Sequence, residues 1–454
     1  EIRKNHVTGI RVMDKWIAAG WVSQHKVKAS KIDFSTRKTI EKDFSYKKHL
    51  LTTEQTNACD RISSSINDFK VWLLHGVTGS GKTEIYIQLI QQVAMKGGQV
   101  LVLIPEINLS PQLEDRFKDH LPFLNTQSMN SRMTERARFD IWDQARRGKV
   151  QLLLGTRLAV AADLPRLSLI IVDEEHDGSY KQKDGLRYSA RDLAIYRAQR
   201  CKIPIILGSA TPSLETYKNS LDGKFEKIKI MSRPVVQLPD VVITDVHKQK
   251  FGLSLCPDLV KRIKNRIVAN EQTLIYVNRR GFATSLICNT CGWVSECRRC
   301  AARLTFHKSN SRLICHYCGY SELHTTGCHR CDSTDVFHPG EGTQRVEEDL
   351  RNLFPDAKIL RIDSDSTKGK GSFLKMRKQI LEGKVDIIVG TQMLAKGHDF
   401  PRLTLVGIVG ADNALYSPDY MASERLFQQL IQVSGRAGRG PLKGEVLVQT
   451  SFSE

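Results

Sequence analysis

Long apolar runs are absent from this sequence of 454 residues. No run approaches the roughly 18 residues that span a bilayer, and no charged-then-apolar start resembles a secretory signal. Short-period repeats and low-complexity tracts are absent too. With 41% hydrophobic and 26% charged residues, the composition is that of a globular protein, so disorder, collagen and coiled coil fit poorly. We expect about three domains, at roughly 100–200 residues each, in the cytoplasm and away from membranes.

Acidic residues are too few to balance the basic ones. Asp and Glu number 49 against 68 Lys and Arg, which leaves a net charge of +19. An excess of this size favours a polyanionic partner, and nucleic acid is the first interpretation. The alternative is a basic solvated surface without a role.

The first 50 residues look too short for a complete domain. Residues 1–33 carry a short helical pattern around Val12, Trp16 and Ile17, and residues 34–50 are polar and basic, which predicts a linker. The sequence begins with Glu1 rather than Met. Two alternatives stay open: a fragment of a longer protein, or a genuinely reduced protein.

From Leu51 onward, short apolar runs alternate with helical patterns. Fully apolar strands separated by helices imply parallel sheets covered on both faces. The predicted strands are Val71–Leu74, Val100–Ile104, Val150–Leu154, Leu169–Val172, Ile203–Leu207, Thr273–Val277, Lys358–Ile362, Asp386–Val389, Leu403–Val409 and Glu445–Val448. We predict two tandem α/β lobes: lobe 1 over residues 51–232, and lobe 2 over residues 233–287 and 339–454. A cysteine module, residues 288–338, interrupts lobe 2.

A phosphate-binding loop is predicted between the first strand and the following helix. Residues 76–83 fit the pattern G-x-x-x-x-G-K-[ST], whose glycines let backbone N–H groups wrap around phosphates at a helix N-terminus. Lys82 should reach the β- and γ-phosphates of ATP, and the Thr83 hydroxyl should bind Mg²⁺. The predicted nucleotide-binding residues of this loop are Gly76, Val77, Thr78, Gly79, Ser80, Gly81, Lys82 and Thr83.

Acidic residues follow the apolar run that ends at Val172. At the carboxyl end of a parallel strand they would face the ligand crevice. We predict that Asp173 holds Mg²⁺ and that Glu174 orients or deprotonates the attacking water. Alone, the same residues could be an acidic loop that caps a helix, but a phosphate loop in the same lobe favours the catalytic interpretation.

Lobe 2 supplies a second set of candidate catalytic residues, Gln432, Arg436 and Arg439. Arginines among glycines can reach across a cleft, and guanidinium groups stabilise the charge of a transferring phosphoryl group. By itself the segment would be a basic surface turn. Combined with the phosphate loop, it predicts that ATP is bound by lobe 1 and sensed by lobe 2.

Eight of the eleven cysteines form four C-x-x-C pairs in the cysteine module. In a chain without an export signal, such pairs indicate metal ligands rather than disulfides. Two pairs make a tetrahedral thiolate site that favours Zn²⁺, although an iron–sulfur cluster stays an alternative. We predict two Zn²⁺ ions in a nested arrangement, with the crossed arrangement left open. Site 1 is Cys288, Cys291, Cys328 and Cys331, and site 2 is Cys297, Cys300, Cys315 and Cys318.

These motifs together resemble superfamily 2 helicases with RecA-like lobes, and among them the PriA family of replication-restart helicases. The segments that carry the resemblance are Gly76–Glu84, Ile104–Gln112, Gly155–Arg157, Asp173–Asp177, Gly208–Pro212, Tyr276–Gly281, Gly390–Phe400 and Gln432–Arg439. The cysteine module lies between Tyr276–Gly281 and Gly390–Phe400, as it does in that family. The resemblance covers the chain from about Leu51 onward. The resemblance implies that residues 1–33 are the remnant of a winged-helix domain, and that this sequence lacks most of the N-terminal DNA-binding region and the C-terminal domain of the family.

The resemblance implies a bacterial cytoplasmic DNA helicase that moves 3′→5′, recognises stalled or abandoned replication forks and starts primosome assembly. Its implied partners are forked and single-stranded DNA, other primosome proteins and single-stranded-DNA-binding protein. Gln55 is implied to contact the adenine, and the Asp177–Arg191 segment to couple DNA to hydrolysis. The residues implied to contact nucleic acid are Arg157, Tyr180, Lys181, Arg187, Tyr188 and Lys396.

We therefore predict a monomeric, ATP- and Mg²⁺-dependent, zinc-containing DNA helicase. One alternative is another nucleic-acid-dependent ATPase, either an RNA helicase or a duplex translocase that does not unwind. The other is a non-enzymatic remnant that binds DNA and zinc.

Overall fold

A computed structural model gives the structure of the protein. It describes residues 51–105, 111–131, 133–232, 238–246, 254–278, 286–288, 290–291, 293–300, 302–307, 311–323, 327–337, 342–363, 366, 372–391, 400–415, 419–440 and 442–451. The predicted winged-helix remnant and basic linker, residues 1–50, lie outside the described residues. Among the described residues, none of the helices has both the length and the apolar character needed to cross a bilayer.

Lobe 1 is built on a seven-stranded parallel sheet. Its strands are β1 (Val71–Gly76), β2 (Gln99–Leu103), β3 (Thr126–Met129), β4 (Leu152–Gly155), β5 (Leu167–Asp173), β6 (Ile205–Ser209) and β7 (Glu226–Ile230). They lie in the order β3-β4-β2-β5-β6-β1-β7. Strands β1 and β5 both pair with β6, so the phosphate loop after β1 and the acidic residues after β5 reach the same edge of the sheet.

The helices of lobe 1 cover both faces of this sheet, and each face has its own buried apolar cluster. They are α1 (Thr53–Ser63), α2 (Lys82–Met95), α3 (Pro111–His120), α4 (Glu135–Arg146), α5 (Ala190–Cys201) and α6 (Leu214–Leu221). Several begin at hydroxyl residues whose side chains accept an N–H of the first turn, as expected for helix N-caps. Ser189 and Ser213, for example, cap α5 and α6.

Lobe 2 is built on a six-stranded parallel sheet. Its strands are β8 (Asp240–Asp245), β9 (Gln272–Val277), β15 (Ile359–Ile362), β16 (Ile387–Gly390), β17 (Leu403–Val409) and β18 (Glu445–Thr450), in the order β15-β16-β9-β17-β18-β8. Its helices are α7 (Pro257–Val268), α8 (Gly342–Leu353), α9 (Ser372–Leu381) and α10 (Ala422–Ser434). Every residue of β9 and β17 is buried, because both strands lie in the middle of the sheet and are covered on both faces.

The predicted fold class, two tandem parallel-sheet lobes with a cysteine-rich insertion in lobe 2, is confirmed. All ten predicted strands are present, with ends shifted by up to two residues. In the two lobe sheets, three further strands, β3, β7 and β8, were not predicted. Each lies at an edge of its sheet, and their sequences TQSM, EKIKI and DVVITD mix polar and apolar residues. A search for fully apolar runs finds central strands and overlooks such edges.

The cysteine module folds around small antiparallel sheets. Strand β10 (Ile287–Cys288) pairs with β14 (Val336–Phe337), and β11 (Thr305–His307), β12 (Arg312–Ile314) and β13 (Ser321–Leu323) form a three-stranded sheet. Its apolar core is small and includes Leu286, Leu304 and Leu313 beside two of the cysteines. Leu286 packs in this core and Ile287 pairs with Phe337 of β14, so the module begins just ahead of its predicted start at residue 288. A core of this size needs metal ions to hold a fold.

Candidate active site and metal centres

The phosphate loop has the backbone that its sequence predicts. Gly79 and Gly81 have φ values of 85° and 81°, a left-handed conformation that side chains other than glycine strain to adopt. A Cβ on Gly76 would lie 2.6 Å from Ser80 Oγ. Gly81 is the N-cap of α2 and offers no side chain to the N–H groups of the first turn. The loop therefore presents a helix N-terminus that can accept a phosphate.

The polar groups of the loop fit a phosphate ligand. Lys82 and Thr83 are the first two residues of α2, and the Lys82 ammonium donates to the Gly76 carbonyl at 2.8 Å. Ser80 Oγ is buried and has no hydrogen-bond partner among the described residues, which is costly unless a ligand provides one. The Val77 N–H donates to the Ile230 carbonyl at 3.1 Å, so β7 supports the loop from behind.

Gln55 lies directly against the phosphate loop. Its carbonyl oxygen accepts the Thr52 N–H at 2.9 Å and its amide donates to the Ser80 carbonyl at 2.9 Å. The side chain is 3% exposed, and a Cβ on Gly81 would lie 2.3 Å from its Nε2. Gln55 thus joins the N-terminus of α1 to the loop, while the predicted adenine contact stays a prediction.

Asp173, at the end of β5, is held by groups from both sides. Tyr86 donates to its Oδ1 at 3.0 Å, and Tyr180 donates to its backbone carbonyl at 2.6 Å. Burial raises the pKa of Asp173 to about 6, the Glu174 carboxylate adds to the rise, and the Lys82 ammonium opposes it. A divalent cation on this carboxylate would have the same effect as Lys82 and keep it ionised.

Glu174 has a φ of 48°, an uncommon conformation for a residue other than glycine and one that is concentrated at functional sites. Its carboxylate has one partner from lobe 2 and one from lobe 1. Gln432 of lobe 2 donates to Glu174 Oε2 at 3.2 Å, and His176 Nδ1 lies 3.6 Å from the same oxygen. The strained backbone aims the side chain at lobe 2.

Glu175 has a structural place that sequence reasoning did not assign. Its side chain is fully buried and accepts hydrogen bonds from Ser213, Thr216 and Arg191 at 2.7–3.2 Å. These partners lie on α5 and at the start of α6, so one buried carboxylate ties both helices to the acidic segment. Only the adjacent acidic residues hint at this role in the sequence.

The two lobes meet through Gln432, one of the predicted catalytic residues, and through Glu424, to which the sequence analysis gave no role. Gln432 Nε2 lies 2.9 Å from His176 Nε2, and His176 Nδ1 lies 2.7 Å from Ser209 Oγ. The Leu214 N–H at the start of α6 donates to Glu424 of lobe 2 at 3.0 Å. A relay of side chains therefore runs from α10 through the acidic segment to the end of β6.

The arginine segment packs onto the phosphate loop. A Cβ on Gly435 would lie 2.7 Å from Thr78 Cβ, so only a glycine allows this approach. The Arg436 side chain is buried, and burial lowers its pKa to about 10, while the nearby Glu174 carboxylate opposes the shift. Arg439 donates to the Gly435 carbonyl at 3.0 Å. Arg436 thus lies at the seam between the lobes, while Arg439 is tied to its own segment through Gly435.

One predicted nucleic-acid contact needs correction. Tyr180 is 2% exposed, and its hydroxyl donates a hydrogen bond to the Asp173 carbonyl. It is therefore a core residue and is not placed to stack on bases. Tyr188 is half-buried and its hydroxyl donates to the Arg157 carbonyl at 3.4 Å, while Lys181 and Arg187 are exposed. Arg157 donates to the Ser179 carbonyl at 3.4 Å. Lys396 lies outside the described residues.

The eight cysteines of the module form two groups of four. Within each group, the four sulfurs all lie within 4.8 Å of one another. The groups are Cys288, Cys291, Cys328 and Cys331, and Cys297, Cys300, Cys315 and Cys318, which is the nested arrangement. Sulfur–sulfur contacts of 3.5–3.6 Å join the pairs. A tetrahedron with Zn–S bonds of about 2.3 Å has edges of about 3.8 Å, so four thiolates here fit Zn²⁺.

Backbone N–H groups support these thiolates, as expected of C-x-x-C turns. The Arg299 N–H lies 3.4 Å from Cys297 Sγ, and the Arg330 N–H lies 3.3 Å from Cys328 Sγ. Among the described residues of the module, no histidine joins either cysteine group. His307 and His316 contact each other, with 2.9 Å between their Nε2 atoms. The donor sets are therefore all-sulfur.

Family models match most of the described chain. A DEAD/DEAH box helicase model matches residues 52–220, a model of the PriA DNA helicase Cys-rich region matches residues 297–322, and a helicase conserved C-terminal domain model matches residues 325–441. Replication restart protein PriA of Haemophilus influenzae is 45% identical over 388 residues, which are 85% of this chain and 53% of that protein. The chain belongs to the PriA DNA helicase family.

A further PriA relative and two solved helicase structures are also similar to this chain. Replication restart protein PriA of Bacillus subtilis is 41% identical over 88% of this chain and 50% of that protein, so the chain spans about half the length of these PriA relatives. The DUF1998 helicase MrfA bound to DNA matches with a TM-score of 0.54 and 14% identity, over 88% of this chain and 49% of that one. Mycobacterium smegmatis helicase Lhr, bound to ssDNA and AMP-PNP, matches with a TM-score of 0.53 and 18% identity, over 88% of this chain and 46% of that one. At such identities the structures establish the fold alone.

The nested grouping predicts which cysteine substitutions share an ion. We expect two zinc ions per chain, and we expect that Cys291→Ser combined with Cys328→Ser loses one of them, because both cysteines belong to the same group. Cys291→Ser combined with Cys315→Ser should lose both. Zinc measured by mass spectrometry after dialysis tests this. Cys256→Ser, a buried cysteine of lobe 2, is the matched control and should keep both ions. In the crossed arrangement, the two double variants would exchange their results.

Proposed function

We propose that this chain is the motor of an ATP-dependent DNA helicase that moves 3′→5′, recognises stalled or abandoned forks and starts replication restart by primosome assembly. One observation carries the proposal. Gln432 of lobe 2 contacts Glu174 and His176 of lobe 1, on the same seam where Gly435 packs on Thr78 of the phosphate loop. Residues that we propose to hydrolyse ATP and to sense it thus lie in contact, which supports a two-lobe motor.

The residues at the seam divide the work of hydrolysis. When bound, Mg²⁺–ATP supplies the γ-phosphoryl group and the charge that neutralises it. Lys82 binds the β- and γ-phosphates, Thr83 and Asp173 hold the cation, and Glu174 orients the attacking water. Arg436 and Arg439 stabilise the charge that develops on the phosphoryl group. Loss of these contacts after hydrolysis favours an open arrangement of the lobes, so each cycle alternates two states.

Nucleic acid is proposed to reach this seam through the segment Asp177–Arg191. Lys181 and Arg187 are exposed on it, and exposed cations can contact phosphates of a single strand. Tyr180, in the same segment, donates to the Asp173 carbonyl. A nucleic-acid strand that moves the exposed Lys181 and Arg187 would therefore also move Tyr180, which is hydrogen-bonded to Asp173. Nucleic-acid binding would in this way be coupled to hydrolysis.

The metal centres and partners complete the proposal. Two Zn²⁺ ions would fold the cysteine module, which by family likeness helps to separate strands and contacts primosome proteins. Single-stranded-DNA-binding protein is a further proposed partner. The cytoplasm of a bacterium is the compartment in which these partners meet forks, and it is the proposed location.

The test is ATP hydrolysis and strand separation by this chain with different nucleic acids. We expect forked DNA to stimulate hydrolysis severalfold more than blunt duplex DNA or RNA, and a fork to be unwound. Forks that differ only in their leading-strand end should differ in rate. Stronger stimulation by RNA would favour an RNA helicase, and stimulation by duplex without unwinding would favour a translocase. DNA binding without hydrolysis on any substrate would leave only a binding protein.

A further inference from the structure

Tyr86 is a buried tyrosine of α2 whose place in the site the sequence did not indicate. It lies three residues after Thr83, is 2% exposed, and its hydroxyl donates to Asp173 Oδ1 at 3.0 Å. Helix α2 begins at the phosphate loop, so Tyr86 and Lys82 come from the same rigid element. A hydroxyl that donates to one oxygen fixes the carboxylate and leaves its other oxygen for a cation or its water.

Gly208, at the end of β6, makes this hydrogen bond sterically feasible. A Cβ on Gly208 would lie 1.7 Å from the Tyr86 hydroxyl oxygen and 3.5 Å from Asp173 Oδ1. No side chain larger than hydrogen fits there while the hydroxyl stays in place. The glycine is the first residue of the segment Gly208–Pro212, and the segment is thereby shaped to admit the tyrosine.

We propose that Tyr86 is a positioning residue for the divalent cation of the nucleotide site, acting through Asp173, and that Gly208 provides the space for it. The inference rests on the proposed function, since it assumes that Asp173 serves a cation. Outer partners of metal-binding carboxylates hold them in one orientation, and their removal typically weakens metal binding about 10- to 100-fold. Tyr86 contributes no atom to the reaction itself.

Binding of a fluorescent, non-hydrolysable ATP analogue to the full chain, titrated with Mg²⁺, tests the role. We expect Tyr86→Phe to raise the Mg²⁺ concentration at half-maximal binding about 10-fold and to leave binding in EDTA unchanged. Saturating Mg²⁺ should restore the analogue affinity of the unsubstituted chain. A hydroxyl with only a packing role would change the melting temperature and not the Mg²⁺ midpoint.

Two further variants sharpen the experiment. Tyr276→Phe removes another buried tyrosine hydroxyl, one that donates to Gln429 in lobe 2 at 3.3 Å, and should keep the Mg²⁺ midpoint. Gly208→Ala should raise the Mg²⁺ midpoint of the otherwise unsubstituted chain. In the Tyr86→Phe background the same substitution should raise it less, because both substitutions act on one hydrogen bond. An unchanged midpoint in folded Tyr86→Phe overturns the inference alone. Absence of Mg²⁺-dependent binding in the unsubstituted chain overturns the proposed function with it.

Discussion

Lys82→Ala should reduce ATP hydrolysis by about 100- to 1000-fold, as expected when one charged group at a transferring phosphoryl group is lost, while DNA binding stays nearly intact. Lys82 is the first residue of α2 and its ammonium lies on the Gly76 carbonyl, inside the loop that the glycines shape. Among the described residues, the segment Asp177–Arg191, which carries the exposed Lys181 and Arg187, has no hydrogen bond to Lys82. The measurements are hydrolysis with saturating forked DNA and DNA affinity by fluorescence anisotropy.

Lys96→Ala is the matched control for this experiment. Lys96 is the C-cap of the same helix and is exposed, so its loss changes net charge equally without reaching the phosphate loop. It should retain the hydrolysis rate. Normal turnover in Lys82→Ala would sink the assignment of the nucleotide site, and an equal loss in Lys96→Ala would show that the charge of the helix, not its first residue, matters.

Arg436→Ala should have an effect of at least similar size, a fall in the DNA-stimulated hydrolysis rate of about 1000-fold, the low end of what arginines at a transferring phosphoryl group contribute. The guanidinium is buried in lobe 2 beside the Glu174 carboxylate of lobe 1. With its pKa lowered by burial only to about 10, it still carries its charge at neutral pH. We expect nucleotide binding to fall much less than the rate, because the arginine acts mainly on charge that develops during transfer.

Arg436→Lys separates charge from geometry. A lysine keeps the charge and loses the planar pair of donors, so its rate should lie between that of the alanine variant and that of the unsubstituted chain. Arg351→Ala, which removes an arginine with a 60% exposed side chain on α8, should leave the rate unchanged. Melting curves check that loss of a buried side chain has not unfolded lobe 2. Full activity in folded Arg436→Ala would contradict a motor whose lobes share one site.

The sequence was informative wherever the chemistry is local. The phosphate loop depends on consecutive backbone positions with left-handed glycines, Gly79 and Gly81, and each C-x-x-C turn places two thiolates within four residues. Central strands such as β9 and β17 are apolar on both faces and can be recognised without any partner. Three of the four edge strands were missed, because one side of an edge strand meets solvent and its sequence then mixes polar and apolar residues.

Contacts between distant segments were the part that the sequence left open. The motif around Asp173 predicted a catalytic role for Glu174, which contacts lobe 2, yet it gave no role to Glu175, which anchors α5 and α6. Tyr180 looked like a surface aromatic among basic residues and is a buried partner of Asp173. Local composition does not show which side of a turn a side chain takes, because that is decided by what packs against it.

The chain by itself therefore determined the kind of chemistry: a triphosphate loop, an acidic strand end, an arginine segment and four pairs of thiolates, each defined by neighbours in sequence. Only the tertiary structure decided how they combine. It selected the predicted nested grouping of the cysteine pairs over the crossed one, brought Gln432 to Glu174 across the seam, and placed Tyr86 beside Asp173 and Gly208. Such pairings depend on strand order and on close packing between segments tens to hundreds of residues apart, and neither is written in any single stretch of sequence.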